Sequence, residues 1–294
     1  MPGSVYCQGN TLMTTIVRTL IILLLCLLTT APGLARDTLT APTVLITGSN
    51  RGIGLEFARQ YAALGWQVIA TCRTPDSADQ LQDLAAQYPH LSIEQLDITD
   101  HAAVDALAER YADLAIDVLL NNAALLGPRD KQVLGNMDYE LLRRILEVNT
   151  VGTLKVTDAF TAHVAASRQK KIITLGSRAG SIQMLNSPPD FYAYRASKTA
   201  LHLLMKNISL ALAERGILVG LINPGLVDTR GLAQIGPDDP VPDDFKGVVR
   251  LLRSGVLKLT SPAEAVDQMI ALIANLSAEQ SGVFLDADGQ VLPW

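Results

Sequence analysis

The chain reads as an α/β protein: one domain on a doubly wound parallel sheet of about seven strands, with helices on both faces. Three observations predict it. Seven short apolar runs recur from Thr43 onward, amphipathic stretches separate most of them, and a glycine-rich loop directly follows the first run. Strands covered on both faces need near-continuous apolar sequence, and intervening helices supply the right-handed crossovers that join parallel strands.

The expected strands are VLIT (44–47), QVIATC (67–72), LSIEQL (91–96), IDVLL (116–120), KIITL (171–175), ILVGLI (217–222) and VFL (283–285). No repeat or linker interrupts 36–294, which is expected to be a single domain. Gly231 to Phe245, GLAQIGPDDPVPDDF, is irregular and rich in Pro and Asp. Its length suits a lid or substrate loop, and a solvated surface excursion explains it equally well.

Residues 1–35 differ in kind from the rest. Arg18, the apolar run TLIILLLCLLTT and then APGLA match the charged, apolar and small-residue regions of a secretory signal. Cleavage after Ala35 would leave a chain beginning at Arg36 and exported to a periplasm or secretory pathway. The alternative is an uncleaved membrane anchor within 16–34, although the apolar run is short of the roughly 20 residues of a spanning helix, which favours the export signal. Met13 would make a better start for such a signal than Met1. Cleavage would remove Cys7 and Cys26 and leave Cys72 without a disulfide partner.

Composition narrows the function classes. A formal charge of -5 with scattered basic residues gives no electrostatic footprint for nucleic acid. His90, His101, His163 and His202 lack ligand spacing, so no metal is expected. The oligomeric state is left open.

In VLITGSNRGIG, glycines 48, 52 and 54 lie between a strand and a helix, where missing side chains let backbone amides approach a pyrophosphate. The spacing is G-x-x-x-G-x-G rather than the commoner dinucleotide G-x-G-x-x-G, so its position after the first strand carries the argument. Further along, FYAYRASKTALHLLMK opens a helix with Tyr194 and Lys198 four residues apart on one face, whereas Tyr192 points elsewhere. An adjacent ammonium is expected to lower the phenol pKa from about 10 and make Tyr194 a usable acid or base. Alone, such a pair is more often packing.

TGSNRGIG, NNAA (121–124), Asn149 in VNTVG, Ser177 in LGSRAGS, YAYRASK and INPGLVDT together resemble the short-chain dehydrogenase/reductases, in that family's order from Thr43 to the C-terminus. SRAGSIQ, YAYRASKTAL and DADGQVLPW look most like its C-factor-like and sniffer-type carbonyl reductases. The resemblance implies a Rossmann-type fold and an oxidoreductase acting on a small carbonyl substrate. Tyr194 would then protonate the carbonyl oxygen, with Ser177 hydrogen-bonding it and Lys198 holding the nicotinamide ribose. Asn149 would anchor a water that relays protons. Gly48, Asn50, Arg51, Gly52, Ile53 and Gly54 would cradle the cofactor. Asp97 and Ile98 would meet adenine, although an Asp there is ordinarily a helix cap. Asn121, Asn122 and Ala123 would line the trough. Pro224 and Gly225 would end the sixth strand in a bend, placing Val227 and Thr229 at the nicotinamide carboxamide.

Ser177 and Tyr194 are 17 positions apart, wider than the family pattern, so IQMLNSPPD is expected to form a loop over the substrate. Arg73 stands where dinucleotide folds place an acidic residue for the ribose 2′-hydroxyl, and Arg51 lies in the glycine loop. Two guanidiniums suit a 2′-phosphate, so NADP(H) is expected over NAD(H), with Asp76 the competing signal. The rival function is a dinucleotide-binding sensor of the C-factor kind with little turnover, which would need the trough but no proton donor.

Overall fold

A computed structural model describes residues 41–185, 189–236, 239–241 and 245–294. The expected leader, residues 1–35, therefore lies outside the described residues, as do parts of IQMLNSPPD and of Gly231 to Phe245. Seven strands form where apolar runs predict them: β1 Thr43–Thr47, β2 Gln67–Cys72, β3 Leu91–Gln95, β4 Val118–Asn121, β5 Lys171–Leu175, β6 Leu218–Asn223 and β7 Phe284–Asp286. Their order is β3-β2-β1-β4-β5-β6-β7, and every pairing is parallel.

The helices are α1 Gly52–Ala63, α2 Asp79–Gln87, α3 His101–Arg110, α4 Tyr139–Leu146, α5 Thr153–Ala165, α6 Tyr192–Leu212, α7 Lys246–Arg253 and α8 Pro262–Ala274. Alternate strand residues project to opposite faces, so each strand feeds two cores. Val44 and Ile46 of β1 join Phe57 and Tyr61 of α1, Leu81 of α2 and Met269 of α8. Leu45 turns the other way, towards Leu107 of α3, Phe160 of α5 and Met205 of α6. Phe57, Tyr61, Phe160 and Phe284 are almost wholly enclosed, and burying each such side chain contributes about 1.5–3 kcal/mol.

Strand order reverses between β1 and β4, which opens a crevice at their carboxyl ends where ligands of open α/β sheets bind. Loop chemistry then sets the helix ends. Asp100 caps α3 through Ala103 N–H at 3.0 Å, and Asp138 caps α4 through Glu140 and Leu141 N–H, each at 3.0 Å. Between α4 and α5 the backbone widens into a π-turn, Glu147–Gly152, a feature often found at functional sites.

Candidate active site

The loop after β1 turns sharply at Gly48, whose φ is +71°. Its carbonyl accepts the Asn122 side-chain amide at 3.0 Å, and the same amide reaches Thr47 O at 2.8 Å. A Cβ on Gly54 would lie 2.3 Å from Gly48 O and 2.5 Å from Asn122 Nδ2, so nothing larger than hydrogen fits there. The first turn of α1 carries neither a side-chain cap nor an acidic residue. Its amides and positive dipole end therefore remain available to an anion.

This end of α1 opens on a groove of about 1430 Å³. Gly48, Asn50, Arg51, Gly52, Ile53, Gly54, Arg73, Asp97, Ile98, Asn122, Ala123 and Thr229 line it, all expected from the sequence; Arg143 and Arg144 of α4 do so too and were not. Asn121 does not line it. Its side chain is buried in the sheet, donating to Thr157 Oγ1 at 3.0 Å and Thr174 Oγ1 at 3.4 Å. Pro224, Gly225 and Val227 also lie off the groove wall: Gly225 makes the bend after β6 at φ +79°, and Val227 pairs with Thr260. Asp97 is not the cap of α3, a role Asp100 fills. It accepts Thr99 N–H at 3.0 Å and Thr99 Oγ1–H at 2.7 Å. Burial opposes its ionisation, yet the Thr99 bonds and the charges of Arg73 and Arg144 hold its pKa below the ordinary value.

Beyond the groove, α6 and the turn after β5 bring the expected catalytic groups together. The Ser177 hydroxyl lies near the Tyr194 phenol and favours its ionised form, and it accepts Ala179 N–H at 3.2 Å. Lys198 is buried, with Nζ 5.9 Å from the centre of the Tyr194 ring. The ammonium donates to Leu175 O at 2.8 Å. Burial lowers its pKa to about 8.

The Tyr194 pKa departs from expectation. Burial raises it, and the nearby Ser177 hydroxyl offsets only part of the rise, whereas the sequence suggested that Lys198 would lower it. The physical reason is that desolvation penalises a phenolate more than an ammonium engaged with a carbonyl relieves it. Asn149 is wholly buried in the π-turn. Its amide clamps Leu125, accepting N–H at 2.7 Å and donating to the carbonyl at 2.9 Å, and also donates to Ser197 Oγ at 3.0 Å.

Besides Arg143 and Arg144, two further site residues escaped sequence reasoning. Gln132, fully buried, caps the start of α6: its main-chain carbonyl accepts Tyr192 N–H at 3.1 Å and its side-chain oxygen accepts Tyr194 N–H at 2.9 Å. Its amide nitrogen holds Leu126 O at 2.8 Å and Pro128 O at 3.1 Å. Nothing local marks a glutamine as the cap of a helix 60 residues away. His202 lies under the Ser177 turn, and its signal was present: positions 194, 198 and 202 share one helical face.

The short chain dehydrogenase family profile matches residues 42–240. The chain belongs to the short-chain dehydrogenase/reductase family. It is thus an oxidoreductase, as its motifs and seven-stranded sheet led one to expect. A 1-hydroxy-2-glutathionyl-2-methyl-3-butene dehydrogenase from Rhodococcus sp. (strain AD45) is 31% identical over 255 residues, 86% of this chain and 99% of its own. Among solved structures, the NADPH-bound carbonyl reductase from chicken fatty liver has a TM-score of 0.72 at 31% identity, covering 86% of this chain and 99% of its own. The carbonyl reductase Sniffer of D. melanogaster has a TM-score of 0.70 at 27% identity, covering 86% and 100%.

Proposed function

We propose that this short-chain dehydrogenase/reductase reduces a small aldehyde or ketone with NADPH, or oxidises the corresponding alcohol in reverse. The observation that carries the reading is that Ser177, just past the carboxyl end of β5, and Tyr194, in the first turn of α6, are brought close together with Lys198. The glycine cradle, closed to any side chain at Gly54, and the uncapped end of α1 fit a pyrophosphate. Arg51 and Arg73 would hold the 2′-phosphate, Asp97 and Ile98 the adenine end, and Thr229 the nicotinamide end. When bound, the cofactor supplies or accepts the hydride.

This chain's residues handle the proton and the oxygen. Tyr194, kept neutral by burial, donates its proton to the carbonyl oxygen as that oxygen gains charge. Ser177 donates a hydrogen bond to the same oxygen. Lys198, with a pKa of about 8, is an acid able to reset the phenol after turnover. Asn149 and Gln132 fix the strip from Leu125 to Pro128 against α6.

The test is NADPH oxidation, followed by absorbance, over a panel of aldehydes and ketones. Turnover of at least one compound, abolished in Tyr194→Phe, is expected. Tight NADPH binding with no turnover of any carbonyl would favour the sensor reading instead.

A further inference from the structure

We infer that His202 is a positioning residue for Ser177: a neutral imidazole carrying its proton on Nδ1 and accepting the Ser177 main-chain N–H through Nε2. The inference rests on the reading of Ser177 as the group that binds the substrate oxygen.

The Ser177 amide lies 3.3 Å from His202 Nε2. An amide can only donate, so Nε2 presents its lone pair and the proton sits on Nδ1. The ring is 2% exposed and packs against Phe284 at 4.4 Å and Trp294 at 6.1 Å between centroids. Two glycines on either side of Ser177 make room for it. A Cβ on Gly176 would lie 3.0 Å from His202 Nε2, and one on Gly180 would lie 2.7 Å from His202 Cε1.

Among the described residues, the buried Nδ1 has no partner. Leaving a buried donor unpaired is unfavourable, so packing alone does not account for an imidazole where a phenyl ring would fill similar space. Burial opposes a second proton on the ring, and the charge of Lys198 acts in the same direction. Ser177 is thereby held at two points, its amide on His202 and its hydroxyl on Ala179 N–H, which leaves the hydroxyl facing Tyr194.

The first experiment uses the native protein. Labelled with [¹⁵N]histidine, it should show one ring with an unprotonated Nε2 and a proton on Nδ1, unchanged across about pH 5–8, where a free imidazole titrates. A His202 ring that titrates in that range, or carries its proton on Nε2, overturns the inference whether or not any substrate is known.

The second experiment is kinetic. His202→Phe keeps an aromatic ring and removes the acceptor, whereas His202→Gln restores an oxygen at similar reach. With wild-type turnover established, His202→Phe should lose on the order of tenfold in kcat at unchanged NADPH affinity, with His202→Gln recovering most of it. Equal losses in both variants, or wild-type kcat in His202→Phe, would also overturn the inference. Absence of carbonyl turnover in the wild type bears on the proposed function, and the tautomer measurement remains decisive for His202.

Discussion

Tyr194 must carry its proton to act in reduction, and burial favours that state. Tyr194→Phe keeps the ring and removes only the hydroxyl, so NADPH binding should survive while kcat falls by at least about 10². Tyr192→Phe is the control and should change little. Lys198 yields a pH prediction of definite sign. Its folded pKa of about 8 lies below the ordinary 10.5, so between those values the unfolded chain binds more protons and stability rises with pH. Lys198→Met lacks this contribution. Its stability relative to wild type should fall by about 3 kcal/mol from below pH 8 to above pH 10.5, read from urea unfolding of the cofactor-free protein at a series of pH values. Residue identities were legible here because Tyr, Lys and Ser carry their chemistry in the side chain. The direction of the phenol shift was not, because helical spacing shows a charge nearby but not how much solvent the fold removes.

The helix that presents Tyr194 begins awkwardly. Phe191, at its start, adopts φ 52° and offers no side-chain cap, and Gln132 satisfies the amides of Tyr192 and Tyr194 from a loop before α4. Gln132→Ala removes a buried acceptor and two donations at once, and should cost about 2–4 kcal/mol in denaturant unfolding. The loops after β1 and β2 bring Arg51 and Arg73 to one groove. The double change Arg51→Ala, Arg73→Ala should weaken NADPH by about 1.5–3 kcal/mol per charged hydrogen bond and leave NADH nearly unchanged, measured by titration at low salt. Equal affinity of the wild type for the two cofactors would count against that preference. At this scale the strands were readable from apolar runs, with ends shifted by a residue or two: β4 runs to Asn121 rather than starting at Ile116. Asp76, the competing signal for cofactor choice, sits in a short 3-10 turn, Pro75–Ser77, off the groove wall. The π-turn at Asn149 was not readable, because VNTVG is compatible with an ordinary helix and the partners of the buried amide, Leu125 and Ser197, come from elsewhere in the chain.

For the whole molecule, the decisive fact is that all seven strands run the same way. Alternating apolar runs and amphipathic stretches announced that arrangement, whereas the pairing of distant loops had to be seen in three dimensions. A parallel sheet is polar in a functional sense, since every strand delivers its following loop to one edge and receives its chain at the other. Gly216 and Gly225 flank β6, have φ of +68° and +79°, and have open space where a Cβ would go. Locally they are near equivalents. A Gly-Ser-Gly insertion at Gly216 should leave NADPH affinity and turnover within about twofold of wild type, because exposed turns tolerate added chain. The same insertion at Gly225 should abolish turnover by displacing Thr229 from the groove wall. The amino edge is therefore the side on which to tether the enzyme: a linker attached at Gly216 would orient every molecule on a support with its working rim towards solution.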